Sequence, residues 1–147
     1  MSDNEAIVNP QKTKSSPDIG PVAVMAATGA DLYYLCELAG YAKNDYQRLF
    51  MSRLYCDRRN SAGPSIIGPF VGAPYAVMLL ENLIAWGARQ IIFIGWCGAI
   101  ADSVKIGDLI LPTSGIIDEG TSKHYGSAEN SRLQAYFPML PSFFMQS

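Results

Sequence analysis

Residues 74–108 carry the pattern that most restricts what this chain can fold into. From Pro74 to Trp86, Val77, Leu80 and Ile84 form one helical stripe, and Ala76, Leu79 and Leu83 widen it. Pro74 falls in the first turn, where its missing N–H costs nothing, and Gly87 ends the helix. Ile91-Ile92-Phe93-Ile94 then runs without polar alternation, as a strand covered on both faces does. Gly95-Trp96-Cys97-Gly98 is a tight loop, and Leu109-Ile110-Leu111 reads as a further strand ending at Pro112. Helix, buried strand and glycine-flanked loop in this order are what an α/β protein uses to bring backbone groups up to a small ligand.

The same unit is foreshadowed upstream. Val22-Ala23-Val24-Met25 reads as a buried strand, and Ala26–Ala30 as a small-residue loop. Asp31 opens a helical pattern with Leu32, Leu35, Leu38 and Ala39 on one face and Gly40 as the stop. Between Tyr41 and Asn60, Tyr46, Leu49 and Phe50 suit a helix, and Arg53–Cys56 suits a strand nearly as well. Arg58-Arg59 reads as a solvated turn. Ile66-Ile67 starts another strand, broken by Gly68-Pro69 and resumed at Phe70-Val71. Ile116-Ile117 is short and apolar and leads into Asp118–Tyr125. The chain thus divides into a polar N-terminal segment (1–20) expected to be mobile, a domain (21–125), and a tail (126–147) rich in aromatics, Met and Pro without a clear period.

At 147 residues the chain suffices for one domain with a core. A 49% apolar composition and a net charge of −2 do not fit a disordered tail or a basic nucleic-acid binder, so neither nucleic acid nor a membrane is expected as a partner. No apolar run approaches the roughly 20 residues that cross a bilayer. The first 20 residues lack the apolar core of a secretory signal. The three cysteines, Cys36, Cys56 and Cys97, are odd in number and lack CxxC spacing, which speaks against a disulfide framework or a structural zinc site. A cytoplasmic protein without a metal or other cofactor is the expectation.

Two loops fall at the carboxyl ends of expected strands, Ala26–Asp31 and Gly95–Ile100, the edge where open α/β sheets bind ligands. Neither matches GxGxxG or the P-loop pattern, and both also read simply as turns. His124, the only histidine, lies near Asp118 and Glu119 and suits a ligand contact, a proton carrier or an ordinary loop position. Cys97 has no local base or cation to make a thiolate, so a buried, inert thiol is expected. Trp96 suits stacking on a ring or capping the core.

Several ordered blocks resemble the nucleoside phosphorylase family, which includes uridine and purine nucleoside phosphorylases and methylthioadenosine nucleosidases. The blocks are Gly72-Ala73-Pro74 opening a helix with Glu81, then Leu83–Ala88, and Ile94-Gly95-x-Cys97-Gly98. They continue with Val104–Ile110 and Asp118-Glu119-Gly120-Thr121-Ser122-x-His124-Tyr125. The resemblance implies a three-layer α/β fold around a mixed, partly barrel-like sheet. It implies cleavage of the N-glycosidic bond of a nucleoside, with phosphate as co-substrate or water as acceptor, by a homo-oligomer, dimer or hexamer. In it Trp96, Cys97 and Gly98 line the sugar and acceptor pocket, with His124 near the pocket or a subunit contact.

Departures from the family pattern matter equally. Phe93 stands where uridine-type phosphorylases carry an arginine, and the Gly-Asp-x-Asp-Arg motif of the first loop is absent, with Asp31 in its place. Trp96 replaces a threonine or serine. A dianion without guanidinium partners loses its strongest contacts. Asp31 instead lies near the position of the carboxylate that activates water in the nucleosidases, and it suits an N-terminal helix cap equally. The family's Met-Glu ribose motif and base-recognition residues are not found after Tyr125. The expectation is therefore an apparently truncated chain: a fragment, a shortened product or an inactive relative. Two alternative functions remain beside phosphorolysis, a non-catalytic nucleoside-binding or oligomerisation module and a phosphate-independent nucleosidase.

Overall fold

A computed structural model describes residues 9–57, 63–112, 114–125 and 132–134. It divides into two compact units, residues 1–97 and 98–147.

The first unit is a five-stranded sheet with two helices. Its elements are β1 (Val22–Ala26), α1 (Gly29–Leu38), β2 (Gln47–Leu49), β3 (Ser52–Tyr55), β4 (Ser65–Gly68), α2 (Ala73–Trp86) and β5 (Gln90–Ile94). The order across the sheet is β2-β3-β4-β1-β5. β1 lies between two parallel neighbours, β4 and β5, and β2–β3 forms an antiparallel flank. The expected α/β class and mixed sheet are present, and the sheet stays open, not closed into a barrel.

Strand alternation sends successive side chains to opposite faces and so builds two cores. Ala23, Met25, Leu54 and Ile67 pack with Leu79, Leu83 and Trp86 of α2. Ala26, Tyr55 and Ile66 pack with Leu32 and Cys36 of α1. The helices therefore cover opposite faces, giving three layers. Gly72 (φ 78°) precedes α2 and Gly87 (φ 124°) follows it, both in the positive-φ region that side chains disfavour.

Several elements differ from the sequence expectation. Residues 41–57 hold a hairpin, β2–β3, whose turn includes Phe50 at φ 54°. Strands of three and four residues are too short to declare a period. Helix α1 begins at Gly29, with Thr28 as its N-cap and Asp31 inside the first turn. Phe70-Val71 is not a strand; the Phe70 N–H instead donates to the Ala27 carbonyl at 3.3 Å. Arg58, Arg59, residues 1–8 and most of 126–147 lie outside the described residues.

The second unit contains an antiparallel pair, β6 (Ser114–Ile116) and β7 (Arg132–Gln134), and a 3₁₀ turn at Ser122–His124. The expected strand Leu109–Leu111 does not form, and all three residues are exposed. An apolar run becomes a strand only where a ladder partner takes up its backbone groups. The Glu119 carboxylate accepts from the amides of Thr121 at 2.6 Å and Ser122 at 2.9 Å and so caps the 3₁₀ turn. Hydrogen bonds from Ser122, side chain first and then amide, together with the Thr121 amide, hold Glu119 at about 2.

Candidate functional site

The chain leaves β1 through α1 and the hairpin to β4 on one side, then returns through α2 to β5 on the other. Connections diverging from a central parallel strand open a crevice at its carboxyl end. Three strand ends are laced together there. The Ala27 N–H donates to the Ile94 carbonyl at 2.9 Å, and the Ala27 carbonyl accepts from Phe70. A Cβ at Gly68 would lie 2.3 Å from the Ala26 carbonyl oxygen, so only glycine lets β4 approach β1 this closely. Phe70 and Phe93 meet edge to face, 5.9 Å between centroids.

Over this floor the two loops expected to carry a ligand are joined by one carboxylate. Asp31 Oδ2 accepts from Thr28 Oγ1 at 2.6 Å and from Trp96 Nε1 at 2.9 Å. Thr28 Oγ1 in turn accepts from the Asp31 amide at 3.1 Å, a reciprocal cap at the start of α1. Asp31 is half-buried. The arrangement presents a fixed negative charge, an indole face and the first amides of a ten-residue helix.

Trp96 is 83% exposed, so it does not cap the core. Cys97 is also exposed, against the expectation of a buried thiol, because it lies beyond the last β5 ladder residue, Ile94. Cys36 and Cys56 are the buried cysteines, and burial pushes the Cys36 thiol up to about 11. Asp31 and Trp96 are thus brought together, with Cys97 adjacent in sequence. Gly98 and His124 belong to the second unit, where His124 is exposed and its amide donates to the Thr121 carbonyl at 3.0 Å. Thr28 is the site residue that the sequence reading misses. The Thr-x-x-Asp spacing of Thr28 and Asp31 is the signal that finds it. Among the described residues no group of three or more His, Cys, Asp or Glu could hold a metal ion.

An open, mixed sheet with a helix on each face, its two strand-end loops joined by Asp31 and Trp96, defines a three-layer α/β domain. Residues 21–146 match the family model described as Phosphorylase superfamily, and the chain belongs to that family. Over 73 residues it is 32% identical to the guanosine phosphorylase of Halorubrum lacusprofundi, covering 50% of this chain and 27% of that protein. It is 38% identical over 65 residues to the uridine phosphorylase of Thermococcus kodakarensis, covering 44% of this chain and 24% of the relative. The uridine phosphorylase of Treponema pallidum is 32% identical over 79 residues, covering 54% and 28%. The matched stretch spans about a quarter of the length of each relative. No solved structure gives a significant match.

Proposed function

We propose that this chain supplies the nucleoside-binding edge of a nucleoside phosphorylase-like protein, which cleaves an N-glycosidic bond with phosphate as acceptor. The family match and the phosphorylase names of the relatives support this reading. The observation that carries it is the Trp96–Asp31 bond across the crevice at the ends of β1 and β5. Glycosidic cleavage passes through a ribose with cationic character. A carboxylate held in place by two donors stabilises that charge without reorganising. The indole beside it offers a stacking face for a base or sugar. Trp96 and Cys97 are the proposed pocket residues on the β5 side.

The same carboxylate favours a second reading. Asp31 repels a phosphate dianion, and Phe93 brings no guanidinium to offset it. Water activated by Asp31 as general base is then the acceptor.

Release of free base from uridine and guanosine, with and without phosphate, separates these readings. Phosphate-dependent release supports the first. Phosphate-independent release abolished by Asp31→Asn supports the second. Nucleoside binding without release from either substrate leaves the crevice as a binding module, and absence of binding contradicts all three. A homo-oligomer, dimer or hexamer, working in the cytoplasm is part of the proposal. Half-exposed Ile92 and Phe93 on β5, and Met78 and Ile84 on α2, give such an assembly apolar surface to cover. Light scattering of the purified chain tests it.

A further inference from the structure

The Asp31–Trp96 crevice lies at the end of one edge strand, β5. Beside the other edge strand, β2, a cavity of about 320 Å³ opens on the α2 face. Strand pairing explains its floor. Gln47 lies opposite Leu54 and Leu49 opposite Ser52, so these side chains share the face on which Leu54 packs with Trp86. Leu49, Leu54 and Trp86 line the cavity as an apolar floor that includes an indole. Arg48 borders it too, but alternation turns that side chain to the α1 face, with Tyr55.

The rim is polar and uncharged. Thr13, Ser15, Ser16 and Pro17 cross it, from the segment before β1. This strap is folded on itself. The Ser16 amide donates to the Thr13 carbonyl at 3.1 Å, and the Thr13 amide donates to Ser16 Oγ at 2.9 Å. Thr13 Oγ1 lies 3.0 Å from Ser15 Oγ and 3.2 Å from Ser16 Oγ. Lys12 and Asp18 pair at 3.0 Å across the ends of the strap, so the charges that bracket it offset each other. Gln47 supplies the remaining polar group. It is half-buried, and its carboxamide makes no side-chain hydrogen bond among the described residues.

Small-molecule pockets run from about 300 to 1,000 Å³ and combine an apolar lining with a few placed polar groups. At about 320 Å³ this one suits a ligand of one or two rings. An uncharged wall gives an ionised ligand nothing to replace its water. An indole between two leucines favours a flat ring. A free carboxamide holds a donor and an acceptor side by side, and so does the N–H and C=O edge of a cyclic amide. The strap hydroxyls, each both donor and acceptor, serve the other polar atoms of such a ring.

We propose that the cavity between β2, Trp86 and the strap 13–17 binds an uncharged heteroaromatic ring with a cyclic amide edge, the chemistry of a pyrimidine or oxopurine base. The site shares no residue with the Asp31–Trp96 crevice and does not rest on the nucleoside reading.

The chain has two tryptophans, Trp86 at the cavity and Trp96 at the crevice, so their indole N–H resonances report the two sites separately. Titration of the full chain with uracil and with hypoxanthine, followed by heteronuclear NMR, tests the proposal. The indole signal that persists in Trp96→Phe is that of Trp86. The expected result is a saturable shift of the Trp86 signal, with binding weakened about fivefold or more in Gln47→Ala and Gln47→Leu, the size of one lost neutral hydrogen bond. Tighter binding of uracil identifies a one-ring ligand and tighter binding of hypoxanthine a two-ring ligand; both support the site. A shift of Trp96 alone overturns it and leaves the nucleoside reading standing. A Trp86 shift without one at Trp96 supports it whatever becomes of that reading. No saturable shift of Trp86 with either base overturns the site. So does undiminished binding in Gln47→Leu, which keeps the side chain's bulk on the edge strand and decides the matter even if Gln47→Ala fails to fold.

Discussion

Trp96 Nε1 donates to Asp31 Oδ2 at 2.9 Å, although the two residues are 65 apart in the sequence. Parallel pairing of β1 with β5 produces this contact. The register sets Ala26 beside Ile94, and each loop begins at the next residue. The carboxylate thereby serves two purposes, tying the loops together and completing the cap of α1 through Thr28.

The cap sets a first expectation. Thr28→Ala removes the acceptor for the Asp31 amide and one donor to its carboxylate. Loss of such a cap costs about 1 kcal/mol. Urea unfolding checks the value, and Thr28→Ser, which keeps the hydroxyl, recovers most of it.

A larger loss is expected at Gly68. A methyl group there meets the Ala26 carbonyl oxygen, a backbone atom that cannot rotate away. Gly68→Ala therefore forces β4 from β1 and lowers stability by about 3 kcal/mol, near the upper end of overpacking costs. The effect shows as a reduced denaturation midpoint with an unchanged slope.

The cysteines separate by exposure. Cys97 reacts promptly with a thiol reagent at neutral pH, while Cys36 and Cys56 react only as the chain unfolds. Cys97→Ser abolishes the fast phase. The Cys36 thiol is raised from 9.0 to about 11 by burial. Its contribution to stability is complete below pH 9 and is lost as pH rises towards 11. Alkaline unfolding of Cys36→Ala is correspondingly less steep.

Glu119 behaves in the opposite sense. Its carboxyl is lowered from 4.5 to about 2, so its support of the 3₁₀ turn is present above pH 4.5 and is lost as pH falls towards 2. The amide resonances of Thr121 and Ser122 report this with a midpoint near 2. A midpoint at the ordinary carboxylate value contradicts the bonds to Glu119.

Much of the sheet is legible in the sequence, and the reasons differ from element to element. β1 is uniformly apolar because it lies inside the sheet with both faces packed, whereas β5, expected to be covered on both faces, is the edge strand and leaves Ile92 and Phe93 half-exposed; α2 is bracketed by Gly72-Ala73-Pro74 and Gly87. The β2–β3 hairpin is only half legible: the strand reading of Arg53–Cys56 is met by β3, while Tyr46, Leu49 and Phe50 satisfy a helical period although Leu49 pairs in β2 and Phe50 sits in the turn. Leu109–Leu111 errs the other way, apolar without a partner. For the site, the loops were readable as strand ends. The joining of Asp31 to Trp96 was not, because it depends on which strand lies beside β1. That choice is made by long-range packing, not by either loop.

The most direct test of the account follows the Trp96 indole N–H by heteronuclear NMR while uridine or guanosine is added to the chain. The account predicts a saturable shift of that resonance, accompanied by the amides of Ala27 and Thr28, and its loss in Asp31→Ala. Shifts confined to residues remote from the ends of β1 and β5, or no shift with either nucleoside, would contradict it.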